Sequence, residues 1–316
     1  MNRRSMLALV TGGCGFIGSH IVERLVREGY TVRVLDDLSS GKRENISHLS
    51  SGVELTVGDI RDAGVLGKVL EGVEVVFHEA AFVSVPESER DPSNCFDINV
   101  GGTILLLKES ERCGVRRLIF ASSCAVYGNS PDLPLTEDVI VTPGSPYALS
   151  KSVAEQIMRE FCFRRQIGIT ALRYFNVYGP RQNPDSKYTA VVSKFIEDGT
   201  RRKKLVVEGN GDQTRDFVFV RDVAEANLLA AKSGIAGFSV MNVCSGTETS
   251  VAELAGLVSS ELGGVRVEQA PARQNDIMRS WGSNARAARA IGFHPVTSIV
   301  EGLKNSIRDH VERSSI

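Results

Sequence analysis

Tyr147 precedes Lys151 by four positions in SPYALSK, residues 145–151. On a helix that spacing sets a phenol and an ammonium on one face, close enough to interact. A phenol with an ordinary pKa near ~10 is a poor base at neutral pH, and a neighbouring positive charge favours the phenolate. The pair could therefore move a proton. Alone it carries little weight, because Tyr and Lys meet at this spacing by chance and usually face water. Upstream, FASSCAVYG sets Ser122, Ser123 and Cys124 at the end of an apolar run. A hydroxyl there could hold or relay the same proton.

The first apolar run ends in TGGCGFIGSH. Gly13, Gly15 and Gly18 fit GxGxxG between a strand and a helix, and Gly12, Gly15 and Gly18 fit GxxGxxG. Such glycines permit a tight turn, bring backbone near a pyrophosphate and let helix approach strand, while the helix N-terminus offers free N–H groups. The second strand ends in LDD, so Asp36 and Asp37 stand where a carboxylate accepts hydrogen bonds from a ribose diol. That charge would repel a 2′-phosphate. NAD(H) is thus expected over NADP(H), with Arg33 and Arg43 close enough in sequence to argue the other way.

The elements that must position these groups are legible as an alternation. LALV, TVRVLDD, VELTV, VEVVFH, RRLIFASS and GITALRYF are short β-branched runs, separated by longer stretches such as FIGSHIVERLVREG. This pattern implies parallel strands with crossover helices, apolar on both faces because helices cover both. The expected fold is α/β, a doubly wound parallel sheet of Rossmann type, with a smaller, mainly C-terminal α/β substrate lobe. Ser122 and Ser123 then fall at the C-terminal strand edge, where such sheets bind ligands. Residues 1–175 and 217–247 are expected to form the dinucleotide domain, and 176–216 with 248–316 the second lobe.

The 316 residues suffice for one large domain or two smaller ones. With 37 basic and 38 acidic residues the formal charge is −1, which gives no reason to expect a nucleic-acid surface. RRKK at 201–204 is the one basic cluster, read as a solvated loop ahead of a phosphate contact. No apolar run approaches the ~18 residues of a membrane span. The start, MNRRSMLALV, is unlike a signal peptide, because its apolar run leads straight into glycines. A cytoplasmic protein is expected. The six cysteines show no CxxC and no ligand spacing, so neither zinc nor a disulfide framework is indicated.

Taken in order, these residues resemble a known family, the extended short-chain dehydrogenase/reductases, and within it the NAD-dependent UDP-sugar 4-epimerases. The resemblance runs through TGGCGFIGSH, GDIR, AAFVSVPES, NVGGT, SSCAVYG, SPYALSK, LRYFNVYGPRQ and GNGDQTRDFVFVRDVA. It implies a cofactor site that also includes Phe16, Ile17, Asp59, Ile60, Ala80, Asn99 and Tyr174. It further implies a nucleotide-sugar site with Ser84, Phe175, Asn176, Ala190, Val191, Arg215, Arg273, Asp276 and Ser280. By the same resemblance, Tyr147 takes a proton from the sugar O4 as the C4 hydride passes to NAD, and Ser123 holds or relays that proton. Hydride return to the other face of the 4-keto sugar inverts C4. For Arg215, a domain-interface salt bridge to Asp216 or Asp222 is the alternative, expected behind the phosphate contact.

Sugar dehydratases of this family carry an acidic pair where this chain has Cys124 and Ala125, so epimerisation is expected ahead of elimination. A non-catalytic dinucleotide sensor or scaffold is the other alternative, disfavoured because Tyr147, Lys151 and Ser123 are all present. Ser280 matches a position where a tyrosine in relatives excludes N-acetylated sugars, so both plain and N-acetylated UDP-hexoses are expected to fit, unless Ser280 merely packs on Trp281. Two places depart from the family: Glu79 replaces an uncharged residue, and Val206–Glu208 offers no aromatic for a uracil. A homodimer through helices near 95–112 and 147–165 is implied, although the apolar stripe there would also suit a monomer core.

Overall fold

In a computed structural model the described residues are 5–49, 52–165, 167–183, 191–272 and 277–314. The predicted Ala190, Arg273 and Asp276 lie outside them. The largest sheet has seven strands. In chain order they are β1 (Leu7–Thr11), β2 (Thr31–Asp36), β3 (Val53–Val57), β4 (Val75–His78), β5 (Arg117–Ser123), β6 (Gly168–Tyr174) and a last strand, Phe238–Val243. From one edge the order is Phe238–Val243, β6, β5, β4, β1, β2, β3, and every pairing is parallel. The direction of winding reverses between β1 and β4, which opens a crevice at their C-terminal ends.

Side chains alternate across the sheet with period two. On β1, Ala8 and Val10 join one core with Ile21, Val22 and Leu25 of helix Phe16–Arg27 and Val223 and Ala224 of helix Val220–Lys232. Leu9 faces the other way, with Leu66 of helix Ala63–Val69, Leu106 of helix Thr103–Arg112 and Met158 of helix Pro146–Arg164. Both faces are therefore covered, which is why these strands read as continuous apolar runs.

A third cluster has its own members, among them Tyr178, Phe195, Ile196, Leu205, Leu254 and Leu303. It lies among helices Val191–Arg201, Val251–Glu261 and Ile299–Ser314 and the parallel pair Lys204–Glu208 with Arg266–Ala270. Strand Asn176–Tyr178 pairs with Phe217–Phe219, and Thr214–Arg215 pairs with both Thr249–Ser250 and Arg279–Ser280. RRKK closes a helix and opens a strand; Arg201 pairs with Glu197 at 2.7 Å and Lys204 with Glu268 at 3.0 Å.

Candidate active site

The glycine turn is packed so closely that side chains are excluded. A Cβ on Gly18 would lie 2.1 Å from the Gly12 carbonyl oxygen, and one on Gly12, whose φ is +70°, would lie 2.7 Å from the Ala80 nitrogen. Gly15 stands at the N-cap of helix Phe16–Arg27, and no side chain caps that end. Its first N–H groups are thus open to an anion. The Asp36 carboxylate, almost fully buried, accepts from the backbone N–H of Cys14 and of Leu38, both at 2.8 Å. It braces the glycine turn as well as facing the crevice. Burial raises its pKa, while those two N–H groups act in the opposite direction. Asp37 accepts from the backbone and hydroxyl of Ser39. Arg33 turns away, to Glu54 and to the carbonyls of Val69 and Glu71.

A cleft of about 1010 Å³ runs from this turn along the strand ends. Gly12, Gly15, Phe16, Ile17, Gly18, Asp36, Asp37, Asp59, Ile60, Ala80, Ser122, Ser123, Tyr147, Tyr174 and Phe175 all line it. The sequence reading missed Ser39, Ser40 and Lys42, which line it beside Asp37, and Arg181, whose guanidinium is held by Glu23 at 2.5 Å. The glycine cradle, the uncapped helix end and the acid at the end of β2 together fit a dinucleotide.

Helix Pro146–Arg164 has a locally encoded start. Ser145 accepts from the Ala148 N–H at 3.2 Å, and Pro146 takes the first position, where no N–H is needed. Tyr147 and Lys151 then share a face directed at β5. Lys151 is buried, its Nζ 2.7 Å from the Ala121 carbonyl oxygen and 4.9 Å from the centre of the Phe120 ring. Burial pulls its pKa down to about 8, against the opposing charge of Glu79. Tyr147 is pushed up to about 12 by burial, and a hydrogen bond with Ser123 acts in the lowering direction. Desolvation outweighs that hydrogen bond, so the phenolate depends on positive charge beside it. A cation bound beside the phenol must supply the remainder.

Ser122 lines the cleft, while its side chain is engaged behind it. Its hydroxyl donates to Glu155 at 2.5 Å, and Glu155 is clasped by Arg173 at 3.0 and 2.7 Å. The side chain serves a buried ion pair and leaves only the rest of the residue to the cleft. Glu155 lies one helical turn beyond Lys151, so its face was readable; its partner comes from β6 and was not. Asn99 sits in a π-helical turn, Asp97–Gly102, and its amide ties the Phe82 backbone at 2.7 and 3.0 Å to the Ser150 hydroxyl at 2.9 Å. It fixes the loop after β4 to the catalytic helix. Ser84 caps helix Val85–Arg90 by accepting from Glu87.

Tyr174 at the end of β6 donates to Glu79 at 2.8 Å and accepts from Asn227 at the same distance. Glu79, the departure from the family pattern, thus has a built environment. Asn176 donates to the Asp216 carbonyl, and Arg215 donates to the carbonyls of Thr214 and Ile277. The Asp216 carboxylate accepts from Ser245, Gly246 and Gly282, and that of Asp222 from Thr297. Ser280 pairs in register with Arg215, which brings those two candidates together. Val191 opens helix Val191–Arg201, and its neighbour Val192 lines the cleft. Cys124 is pushed up to about 12 by burial and then by Asp216, a poorer acid than a free thiol.

The family model described as NAD dependent epimerase/dehydratase family matches residues 8–244. The UDP-glucose 4-epimerase of Mycolicibacterium smegmatis is 38% identical over 307 residues, covering 96% of this chain and 97% of the relative. Among solved structures, the Thermotoga maritima UDP-glucose 4-epimerase with UDP-glucose superposes with a TM-score of 0.92 at 36% identity, covering 98% of this chain and 100% of the other. The UDP-N-acetylglucosamine 4-epimerase of Methanobrevibacter ruminantium M1, in complex with UDP-N-acetylmuramic acid, does so with 0.94 at 35% identity and the same coverages. With its glycine turn, acid and Tyr147 on one cleft and Lys151 buried one helical turn beyond that tyrosine, this chain is an enzyme of the NAD dependent epimerase/dehydratase family.

Proposed function

We propose that the protein inverts C4 of UDP-hexoses, both UDP-glucose/UDP-galactose and their 2-acetamido counterparts, through a transient 4-keto sugar. The observation that carries this reading is the meeting of Tyr147 and Ser123 on the cleft that the glycine turn opens, with Lys151 buried beside them against the Ala121 carbonyl of β5. Bound NAD supplies a hydride acceptor and returns the hydride. Tyr147 takes the O4 proton and gives it back, Ser123 hydrogen-bonds that phenol, and Lys151 keeps positive charge near it. Cys124 and Ala125 lack the acid and base that elimination of water needs, which favours epimerisation over dehydration.

The lobe of residues 176–216 and 248–316 would hold the nucleotide sugar. Asn176, Arg215 and Ser280, the last two paired in register, are assigned to it from the resemblance together with Arg273, Asp276 and Ala190. Arginine suits this task because its planar fork meets phosphate oxygens in pairs. A serine at 280 leaves room for an acetamido group. We also assign a homodimer through the helices near 95–112 and 147–165, which expose Ile104, Leu149 and Phe163. A cytoplasmic place agrees with six free cysteines. Among the described residues no helix is long and apolar enough to cross a membrane.

Purified protein incubated with UDP-galactose and with UDP-N-acetylgalactosamine, without added reductant, should give the C4-inverted sugars. Absence of inversion with every UDP-hexose would return the reading to a dinucleotide-binding module. Loss of water would make it a dehydratase.

A further inference from the structure

Glu79 is a carboxylate that the proton transfer above does not use, yet it is set into the reacting end of the cleft. It follows directly on β4, the strand beside β5, and lines the same cleft as Ser123, Tyr147 and Tyr174. Its Oε1 accepts from the Tyr174 phenol at 2.8 Å, and Asn227, from helix Val220–Lys232, donates to that phenol in turn. Tyr174 is thereby oriented with its proton toward Glu79. Few ways exist to place a charge near the strand ends with a fixed direction, and this chain of two hydrogen bonds is one.

The hydride-exchanging ring of a bound dinucleotide must stand beside Tyr147 and Ser123, because the sugar carbon and its hydroxyl are handled together. Glu79 lies within electrostatic range of that place: it acts on both Tyr147 and Lys151. An oxidised nicotinamide carries a positive charge, and uptake of a hydride, which is one proton with two electrons, cancels it. A fixed anion nearby stabilises the first state and leaves the second almost unaffected. We propose that the Glu79 carboxylate, held by Tyr174 at the nicotinamide end of the cleft, biases the bound dinucleotide toward its oxidised form and so keeps the enzyme ready to take a hydride from substrate.

Burial pushes Glu79 up to about 7, against the Tyr174 hydrogen bond and the Lys151 charge. The bias is then present above neutral pH and fades below it. The titratable groups facing Glu79 are Lys151 and Tyr147 from helix Pro146–Arg164 and Tyr174 from β6; burial raises both phenols, a bound cation lowers that of Tyr147 again, and Lys151 loses charge near 8. His78, next to Glu79 in the chain, is held neutral by burial, with its pKa lowered to about 3.

The test is a spectroelectrochemical titration of NAD-loaded wild type and E79Q, following the absorbance of the reduced ring. It uses no sugar, so it rests on the family's cofactor and not on the proposed substrate. E79Q should have a midpoint more positive by about 30 mV or more near pH 8, the equivalent of a tenfold shift for a two-electron couple. The difference should shrink toward zero near pH 6. Equal potentials at both pH values, or a difference of the same size at both, would overturn the assignment. Should E79Q lose its cofactor, Tyr147→Phe with Glu79 intact decides: its potential must still change slope near neutral pH, and an unbroken line refutes the proposal.

Discussion

Lys151 Nζ donates at 2.7 Å to the carbonyl oxygen of Ala121, two residues before Ser123 on β5. The ammonium is thereby fastened to the strand that carries the serine, while its helix carries the tyrosine. Helix and strand cannot shift relative to each other without breaking this bond, and leaving a buried ammonium unpaired costs several kcal/mol. The three groups form one rigid unit.

Tyr147→Phe removes the proposed proton carrier and little else, since the ring remains. We expect NAD content and unfolding temperature close to wild type, with kcat lower by roughly 10²–10⁴-fold. Activity within a few-fold of wild type would show that another group moves the proton.

Gly18→Ala forces a methyl to within 2.1 Å of the Gly12 carbonyl oxygen, a contact that only backbone movement relieves. The turn must open, and the helix N-terminus must retreat from its anion site. Cofactor retained through gel filtration should fall sharply, together with thermal stability. A variant that keeps both would mean that the turn is looser than its contacts imply.

Glu79→Gln also gives a stability signature. With a folded pKa raised to about 7, the native state holds a proton that the unfolded chain releases near 4.5, so this group's contribution is fully present at low pH and lost as pH rises through about 7. Glutamine does not titrate. Relative to wild type, the variant should gain on the order of 3 kcal/mol between pH 4.5 and pH 8, read from urea midpoints. A pH-independent difference would show that Glu79 is not protonated in the folded protein at low pH in the way its burial requires.

Arg173→Met breaks a pair whose side chains are 5% and 6% exposed, and strands Glu155 beside Ser122. Removing one partner of such a pair costs about 3–5 kcal/mol. The double variant Arg173→Met with Glu155→Leu should recover much of that loss, because no lone charge remains. Failure of the double variant to recover would place the cost in packing against Tyr127, over whose ring the guanidinium sits at 4.8 Å.

Ser280→Tyr tests the pocket size. The new ring should lower kcat/KM for 2-acetamido sugars by at least about tenfold while sparing plain hexoses, since steric rejection of one group is worth a few kcal/mol at most. Parallel losses on both sugars would mean that residue 280 senses the lobe and not the ligand.

The sheet was legible because a strand covered by helices on both sides must be apolar on both faces, and LALV or VVFH has no other easy home. A helix under Tyr147 and Lys151 was legible from their spacing, whereas its start, a serine cap followed by proline, emerged with the structure. What escaped were pairings between distant elements. The Ser122 hydroxyl meets Glu155 and through it Arg173, and Tyr174 stands between Glu79 and Asn227. Each partner comes from a different strand or helix, and spacing along the chain carries no sign of it.

The strand Phe238–Val243 returns from a long excursion to lie directly against β6, from which that excursion departs. Both ends of the intervening chain are clamped by a single ladder. A protease that nicks the exposed turn near Asn210 and Asp212 would leave two fragments stitched together by six paired residues and the core around them. The nicked protein should migrate as one particle, and part only when denaturant melts that seam.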